Sequence, residues 1–234
     1  MLHITRKPER QSTDLEKLEG LLDEQWWGVL SISRDAATGP AVITIPTLFV
    51  RVGDRILVHG STGAGALGTN STTTHADTAA TISSGSPEGE GSTPPPASLP
   101  LSLCVTSMDG LVLAHSTFDS SVNYRSAVVY GHLESAAPAD REALLLSFTD
   151  RLVPGRNAEV RAMTRKEIAA TNVSVLRITD GQWVYKERTG DVGVPDENTE
   201  AWGGVIPFTT SYAEPQTAEW ARGREIPDSV RQLR

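Results

Sequence analysis

One short segment combines imidazole, glycine and hydroxyl groups in an order suited to binding a phosphate. His59, Gly60, Ser61 and Thr62 stand at the end of an apolar, strand-like run that begins at Arg55. Hydroxyls and backbone amides at the end of a strand can cradle a phosphate. The alternative is a strand-to-helix turn in which Ser61 or Thr62 caps a helix, and the residues alone favour that structural role.

A second group of candidates lies around a polar segment between two apolar runs, residues 111–114 and 127–130. His115 is suited to donating a proton, although a structural histidine is the more frequent case. Arg125, next to Tyr124, is suited to bidentate contact with a phosphate or to an ion pair at a subunit interface. For an exposed arginine, a solvated charge is the commonest role.

Two more cations and an aromatic residue follow near the end of the chain. Lys186 and Arg188 come after an apolar run, where they would either neutralise an anion or form the polar face of a strand. Trp202 is suited to stacking on a ring system, but a tryptophan in an irregular tail is more often a packing anchor. The five histidines and the single cysteine are scattered singly, so no metal site is predicted.

The elements that must position these groups are mostly strands. Thr13 and Glu16 have the spacing of a capping box at the start of a short amphipathic helix, and Thr164 and Glu167 repeat it. A longer helix is predicted over residues 138–153, where Pro154 and Gly155 follow. Apolar runs predict seven or eight strands, at residues 27–33, 41–50, 55–59, 99–106, 111–114, 124–133, 173–178 and 182–187.

These elements predict a mostly β fold with flanking helices, a small β-barrel in one domain over residues 1–234. Pro46 indicates a bulge or an edge within its strand. Residues 173–178 and 182–187 are predicted to form a hairpin around residues 179–181. Residues 70–98, rich in Ser, Thr and Pro, are predicted to be a disordered insertion. Residues 189–234 are predicted to be an irregular tail that packs on the barrel through its aromatic side chains.

Composition limits the classes of partner that the chain is expected to bind. The 21 basic and 29 acidic residues give a formal charge of −8, which argues against a nucleic-acid or membrane-surface partner. Cys104 is the single cysteine, so no disulfide can form within the chain, and its apolar surroundings suggest a buried thiol. With no signal-peptide pattern at the N-terminus, we expect a cytoplasmic protein with a small-molecule partner.

The motifs, taken together and in order, resemble one family, the pyridoxamine 5'-phosphate oxidase-related proteins with the FMN-binding split β-barrel. The matching segments are Arg6-x-Pro-x-Arg10, Ile45-Pro-Thr47, His59-Gly-Ser61, Asp109 to Gly131, Val153-Pro-Gly-Arg156, Lys186-x-Arg-Thr-Gly190 and Trp202-x-Gly-Val-Ile-Pro207. The resemblance implies a homodimer with FMN in a groove at the subunit interface. The cofactor-binding residues it implies are Ile45, Pro46, Thr47, His59, Gly60, Ser61, Thr62, Tyr124, Arg125, Ser126, Lys186 and Trp202.

The same resemblance implies an FMN-dependent oxidoreductase acting on a small organic substrate, with His59, His115 and Tyr124 as catalytic candidates. Gly63 to Gly65 supply no cation after the phosphate turn. Two alternatives therefore stay open: a flavin-free member whose groove serves an isomerase, cyclase or hydrolase reaction, and a non-catalytic flavin-binding protein. Asp119 is a further acid–base candidate in the flavin-free case.

Overall fold

The computed structural model describes residues 6–33, 41–61, 100–196 and 198–233; the predicted insertion at 70–98 and Thr62 lie outside this part. Its strands are β1 (Gln11–Ser12), β2 (Trp27–Ser33), β3 (Val42–Leu48), β4 (Val50–Val52), β5 (Arg55–Ser61), β6 (Pro100–Leu113), β7 (Ser121–Ser135), β8 (Thr171–Arg177), β9 (Trp183–Arg188) and β10 (Gly204–Pro207). Its α-helices are α1 (Leu15–Glu24), α2 (Arg141–Leu152), α3 (Arg156–Glu159), α4 (Arg165–Ala170) and α5 (Asp228–Arg231). Two single 3-10 turns occupy Pro8–Arg10 and Glu219–Ala221.

The strands form one antiparallel, curled sheet. Its order is β3-β2-β6-β7-β8-β5-β4, with β9 and β1 added beside β7 and with β10 added beside β6. All of the pairings are antiparallel. The mostly β, split-barrel architecture predicted from the sequence is therefore confirmed.

The long strands β6 and β7 are the spine of this sheet. The sequence suggested separate strands at 99–106 and 111–114, but β6 is continuous, because a bulge between Met108 and Gly110 absorbs one extra residue, Asp109. The far edge of β7 pairs first with β9 and then with β8. The predicted hairpin of 173–178 with 182–187 is wrong, because within the described residues each of these strands pairs with β7 and not with the other.

The core lies inside the curled sheet and is closed at one end by α1. Leu18, Leu21 and Leu22 of α1 are at most 1 % exposed and pack with inward-facing strand residues such as Leu103 and Tyr185. A second cluster lies on the outer side of β5 and β8, where α2 covers them with Leu144, Leu145 and Phe148. Strands β5 and β8 are consequently covered on both faces.

Local signals in the sequence were mostly confirmed. The Thr164 side chain accepts from the amide of Glu167, and the Glu167 carboxylate accepts from the amide of Thr164, which completes the predicted capping box. At α1 the predicted Thr13 cap is wrong. Asp14 caps the helix, because its side-chain carboxylate accepts from the amide of Glu16 at 3.0 Å. The β4–β5 turn uses Gly53 with φ of 62°.

Pro46 lies opposite Val29 in unbroken register on β3, which pairs only with β2 among the described strands. The edge interpretation of this proline is confirmed, and the bulge interpretation is wrong. The longest described helix, α2, has 12 residues. No described helix combines the length and the apolar character needed to cross a bilayer.

Candidate functional site

A cluster of cations surrounds β9, and we call it the β9 basic patch: Arg6, Lys7, Arg10, Lys186 and Arg188. Strand β1 pairs with β9 so that Gln11 lies opposite Lys186. This pairing carries the preceding turn, Pro8–Arg10, against β9. The Nζ of Lys186 donates to the backbone carbonyl of Arg6 at 2.8 Å, which joins the two ends of the patch.

Among the described residues, the patch gathers cations without a carboxylate partner on and beside one strand, β9. Within the described ranges, no carboxylate lies within 4.0 Å of any of its five side chains. Lys186 has three ammonium protons and uses one on Arg6; Arg188 donates to Oδ1 of Asn123 at 2.5 Å and has other donors left. One acidic residue, Glu9, lies in the same segment. On a chain of net charge −8, the patch is a local concentration of positive charge.

Polar and aromatic groups of β7 adjoin the patch. Ser126 is the register partner of Lys186, and its hydroxyl donates to the Lys186 carbonyl at 3.2 Å. Tyr124 is the partner of Arg188 on β9 and of Met108 on β6. Met108 is 48 % exposed. The structure thus brings Tyr124, Ser126 and Lys186, three of the predicted cofactor-binding residues, onto adjacent strands.

Arg125, between Tyr124 and Ser126, points the other way, into the closed end of the barrel. Its Nε and Nη2 donate to both oxygens of Asp109 at 3.0 and 2.7 Å. Its Nη1 and Nη2 donate to Glu24 of α1 at 2.5 and 2.9 Å, and Nη2 also reaches the Ser107 hydroxyl at 3.2 Å. These bonds hold the pKa of Asp109 below its usual range and raise the pKa of Arg125. The guanidinium is therefore committed to intrachain partners.

A second polar chain lies beside it on the inner face of β9. The phenol of Tyr185, 1 % exposed, donates to Glu187 at 2.9 Å, and Glu187 accepts from Nζ of Lys17 at 2.5 Å. Burial and the hydrogen bond to Glu187 raise the pKa of Tyr185. Lys17 and Tyr185 lower the pKa of Glu187. Together with the Arg125 network, this chain fastens α1 to the sheet.

His59 lies elsewhere, on the side of β5 that faces α2. Its ring meets Phe148 edge-on, with ring centroids 4.5 Å apart. Partial burial against this ring lowers the pKa of His59, although the side chain keeps an exposed surface. Gly60 and Ser61 pair with Asn172 and Thr171 of β8. The β5 end is thus part of the β5–β8 ladder, and the predicted cradle continues into Thr62, outside the described residues.

His115 lies in the turn that joins β6 to β7. Its Nε2 is 3.7 Å from Oδ2 of Asp119, and that oxygen accepts from the Ser116 hydroxyl at 2.6 Å. A cleft of about 440 Å³ opens here, lined by Ala114, His115, Asp119 and residues 192–196. His115 therefore reaches a cleft, as a proton donor must, but it lies apart from His59.

The remaining predicted residues lie in two more places. Ile45, Pro46 and Thr47 belong to the edge strand β3, which β2 and β6 separate from β7; three strand spacings amount to about 14 Å. Trp202 is 66 % exposed, and its ring lies over the backbone of Gly204 at the start of β10. A single chain thus gathers Tyr124, Ser126 and Lys186 but leaves the β3, β5 and Trp202 candidates apart.

Three members of the basic patch, Arg6, Lys7 and Arg10, were not candidates in the sequence analysis. Arg6 and Arg10 were noticed as a motif, without a role, because the pairing of β1 with β9 is a contact between residues about 175 positions apart. The signal that would have found them is that both motifs carry two basic residues close together. Arg-x-Pro-x-Arg and Lys-x-Arg both place cations beside short strands of the same sheet.

Known proteins share this architecture. A family model described as pyridoxamine 5'-phosphate oxidase matches residues 92–182. The FAD and heme binding protein from Mycobacterium smegmatis is 36 % identical, and the match covers 96 % of this chain and 97 % of that one with a TM-score of 0.79. The flavocytochrome Anf3 from Azotobacter vinelandii is 26 % identical, covering 99 % and 95 % of the two chains with a TM-score of 0.77.

None of the curated proteins compared with the chain matches it. The match to the Mycobacterium smegmatis protein spans nearly the full length of both chains at substantial identity. The motif resemblance and the curled antiparallel sheet agree with that match and with the family model. The chain therefore belongs to the pyridoxamine 5'-phosphate oxidase-like family of flavin-binding split barrels.

Proposed function

We propose that the protein binds a flavin nucleotide through the β9 basic patch and acts as a flavin-linked oxidoreductase on a small organic substrate. The observation that carries the proposal is the presence of five cations without a carboxylate partner among the described residues, on an otherwise acidic chain. A flavin nucleotide matches this chemistry because it joins an anionic phosphate to a large apolar ring.

In this proposal Lys186 and Arg188 neutralise the phosphate, with Arg10 beside them. Ser126 and Tyr124 supply hydroxyl groups for the polar edge of the ligand, and the exposed side chain of Met108 offers an apolar surface to its ring. The flavin, when bound, supplies the capacity to accept and pass on electrons. The protein binds and orients it, and His115 in its cleft is the candidate for holding a proton near the substrate.

The proposal includes a homodimer. The candidate residues on β3 and β5 lie on other parts of the sheet than those on β7, and a site between two chains can take some from each. The outer face of the sheet supports this arrangement, since Trp27, Val42 and Met108 are 52 %, 55 % and 48 % exposed there. Exposed apolar groups on one face of a sheet offer a surface for association. Sedimentation equilibrium giving the mass of one chain would remove the dimer from the proposal.

The identity of the flavin is a separate question. The motifs predict FMN, whereas the Mycobacterium smegmatis relative is a protein that binds FAD. We propose FAD for this chain because that relative matches it over nearly its full length. Both nucleotides share the ring and a phosphate, so the patch serves either one. Chromatography of the flavin released by heating the purified protein separates FAD from FMN.

The test is a titration of flavin-free protein with FAD and, separately, with FMN. Binding is monitored through the quenching of flavin fluorescence. Wild type should bind one flavin per chain. Lys186→Gln and Arg188→Gln should each weaken binding at least about tenfold, since a hydrogen bond to a charged group is worth about 1.5–3 kcal/mol. Arg161→Gln is the matched control, because Arg161 is exposed and pairs with Glu167. If neither flavin binds, or if both patch variants bind like wild type, the proposal fails.

Heme is a second cofactor that we propose for testing, because the two relatives are an FAD and heme binding protein and a flavocytochrome. Among the described histidines, His59 fits an iron ligand: its ring is fixed against Phe148, it keeps an exposed surface, and its lowered pKa favours the neutral imidazole that binds metal. Heme added to the protein should give a Soret band whose position changes in His59→Ala. His132→Ala is the control, since His132 is an exposed residue of β7. An unchanged Soret spectrum in His59→Ala would exclude this ligand.

A further inference from the structure

A second cavity, separate from the β9 basic patch and from the His115 cleft, lies where α1 ends. We call it the α1–α2 cavity. It has a volume of about 460 Å³ and lies between the end of α1, strands β3 and β4, the end of α2 and the C-terminal tail. Pockets that bind small organic molecules have volumes of about 300–1,000 Å³. None of its lining residues belongs to the proposed flavin site.

The walls of the α1–α2 cavity are largely apolar and partly aromatic. Leu48, Leu152 and Val153 line it, and Trp26 and Tyr212 flank it. Trp26 is 49 % exposed and Tyr212 is 57 % exposed. Exposed aromatic side chains beside an apolar cleft offer a surface on which a ligand can pack. A flat apolar ring is the shape that two such side chains accommodate.

The edge of the cavity carries charge, and one of its charged groups has spare binding capacity. Asp23 lies between two arginines: it accepts from Nε and Nη2 of Arg51 at 2.8 and 2.5 Å, and from Nη2 of Arg151 at 2.5 Å. Burial opposes ionisation of Asp23, but the two arginines outweigh it and lower its pKa. The remaining nitrogen of Arg51, Nη1, donates to the carbonyl of Gly53 and forms an ion pair with Glu19.

Arg151 is in a different position. Among the described residues its side chain pairs with Asp23 alone, through one nitrogen, and it is 42 % exposed. Its remaining donors form the planar fork that binds a carboxylate with two parallel hydrogen bonds. Arg51 and Arg151 face two carboxylates, Asp23 and Glu19, so what Arg151 offers a ligand is its remaining donors and not an excess of positive charge. A carboxylate at the cavity edge would accept from these donors.

We propose that the α1–α2 cavity binds a small aromatic carboxylate, with its ring between Trp26 and Tyr212 and its carboxylate on Arg151. The ring is proposed because the body of the cavity is apolar, and the carboxylate because Arg151 has donors left at the rim. The site is independent of the proposed flavin site, so it is testable in protein with or without flavin. It gives the chain a second small-molecule site of its own.

The test is isothermal titration of the full-length protein with two probes, 2-naphthoate and its neutral analogue 2-naphthalenemethanol. Naphthoate should bind saturably at one per chain, at least tenfold more tightly than the alcohol. Arg151→Gln should remove that preference and leave binding of the alcohol unchanged, because Asp23 keeps Arg51 as its partner. Arg161→Gln, which removes a salt-bridged arginine outside the cavity lining, should change neither affinity.

A second variant tests the location. Val153→Trp fills the cavity from the end of α2, and it should abolish binding of both probes while thermal unfolding shows that the protein stays folded. The proposal is overturned if naphthoate does not bind saturably, if Arg151→Gln keeps the preference for the anion, or if folded Val153→Trp binds both probes like wild type. Failure of the flavin titration would leave all of these outcomes unaffected, so the two proposals fail separately.

Discussion

Arg125→Met is expected to lower the free energy of unfolding by about 2–3 kcal/mol while flavin binding is kept. The side chains of Arg125 and Asp109 are 26 % and 27 % exposed. Their two hydrogen bonds therefore lie between an exposed ion pair, worth about 0–1 kcal/mol, and a buried one, whose breaking costs about 3–5 kcal/mol. Glu24 is 49 % exposed, and its share is correspondingly discounted to about 0.5 kcal/mol.

The assay is urea unfolding followed by circular dichroism, arranged as a double-mutant cycle. Arg125→Met leaves Asp109 partly buried with Ser107 as its remaining partner, whereas Arg125→Met with Asp109→Leu removes both charges. The double variant should therefore be more stable than the sum of the single changes by at least about 1 kcal/mol. Glu24→Gln alone should cost less than about 1 kcal/mol, which separates the two partners of the guanidinium.

The pH dependence gives an independent check. The folded-state pKa of Asp109 is lowered by the Arg125 hydrogen bonds and, after the opposing effect of burial, by the Ser107 hydroxyl. A lowered acid pKa contributes stability that is complete above the unfolded value of about 3.9 and is lost as pH falls through the folded value. The gap between wild type and Arg125→Met should hold at pH 7 and narrow below about pH 4. Wild-type stability together with lost flavin binding in Arg125→Met would refute the structural role and return Arg125 to the cofactor site.

Three further outcomes follow from local geometry. Gly110→Ala should lower the free energy of unfolding, measured in urea, by about 1–3 kcal/mol, because a Cβ there meets a backbone oxygen of β10 at 2.8 Å. Gly20→Ala is the contrast: a Cβ there has nothing within 4 Å, so the change should stabilise α1 by about 0.5–1 kcal/mol. Phe148→Ala should raise the pKa of His59 toward about 6.5, as measured by NMR titration, because the ring that buries the imidazole is removed. In wild type the lowered pKa means that the fold has its full stability above about pH 6.5 and loses stability as the pH falls below that value. Glu159→Gln should speed limited proteolysis ahead of α5, because the Glu159 carboxylate accepts from the first turn of that helix; unchanged cleavage would contradict that anchoring role.

The strands and helices were predictable where the signal is local. Strand β2 matches the prediction at both ends, and α2 lies within the predicted 138–153, because alternation, capping and helix-breaking residues act over a few positions. The errors came where pairing depends on distant residues. Residues 173–178 and 182–187 have the composition of a hairpin, yet β7 is long enough to offer β8 and β9 separate stretches of its edge. The short turn sequence at residues 179–181 carries no information about pairing with β7.

The candidate site was less predictable because side-chain direction depends on the pleat. Tyr124, Arg125 and Ser126 form one motif, but successive residues of a strand face opposite sides, so the motif cannot act as a unit. Arg125 turns inward because the β6 bulge places Asp109 beneath it and α1 brings Glu24 to the same point. Its two neighbours are left with Lys186 on the opposite face, next to the basic patch. Charge at the proposed flavin site is therefore expected from β9 and the N-terminal turn, and not from Arg125.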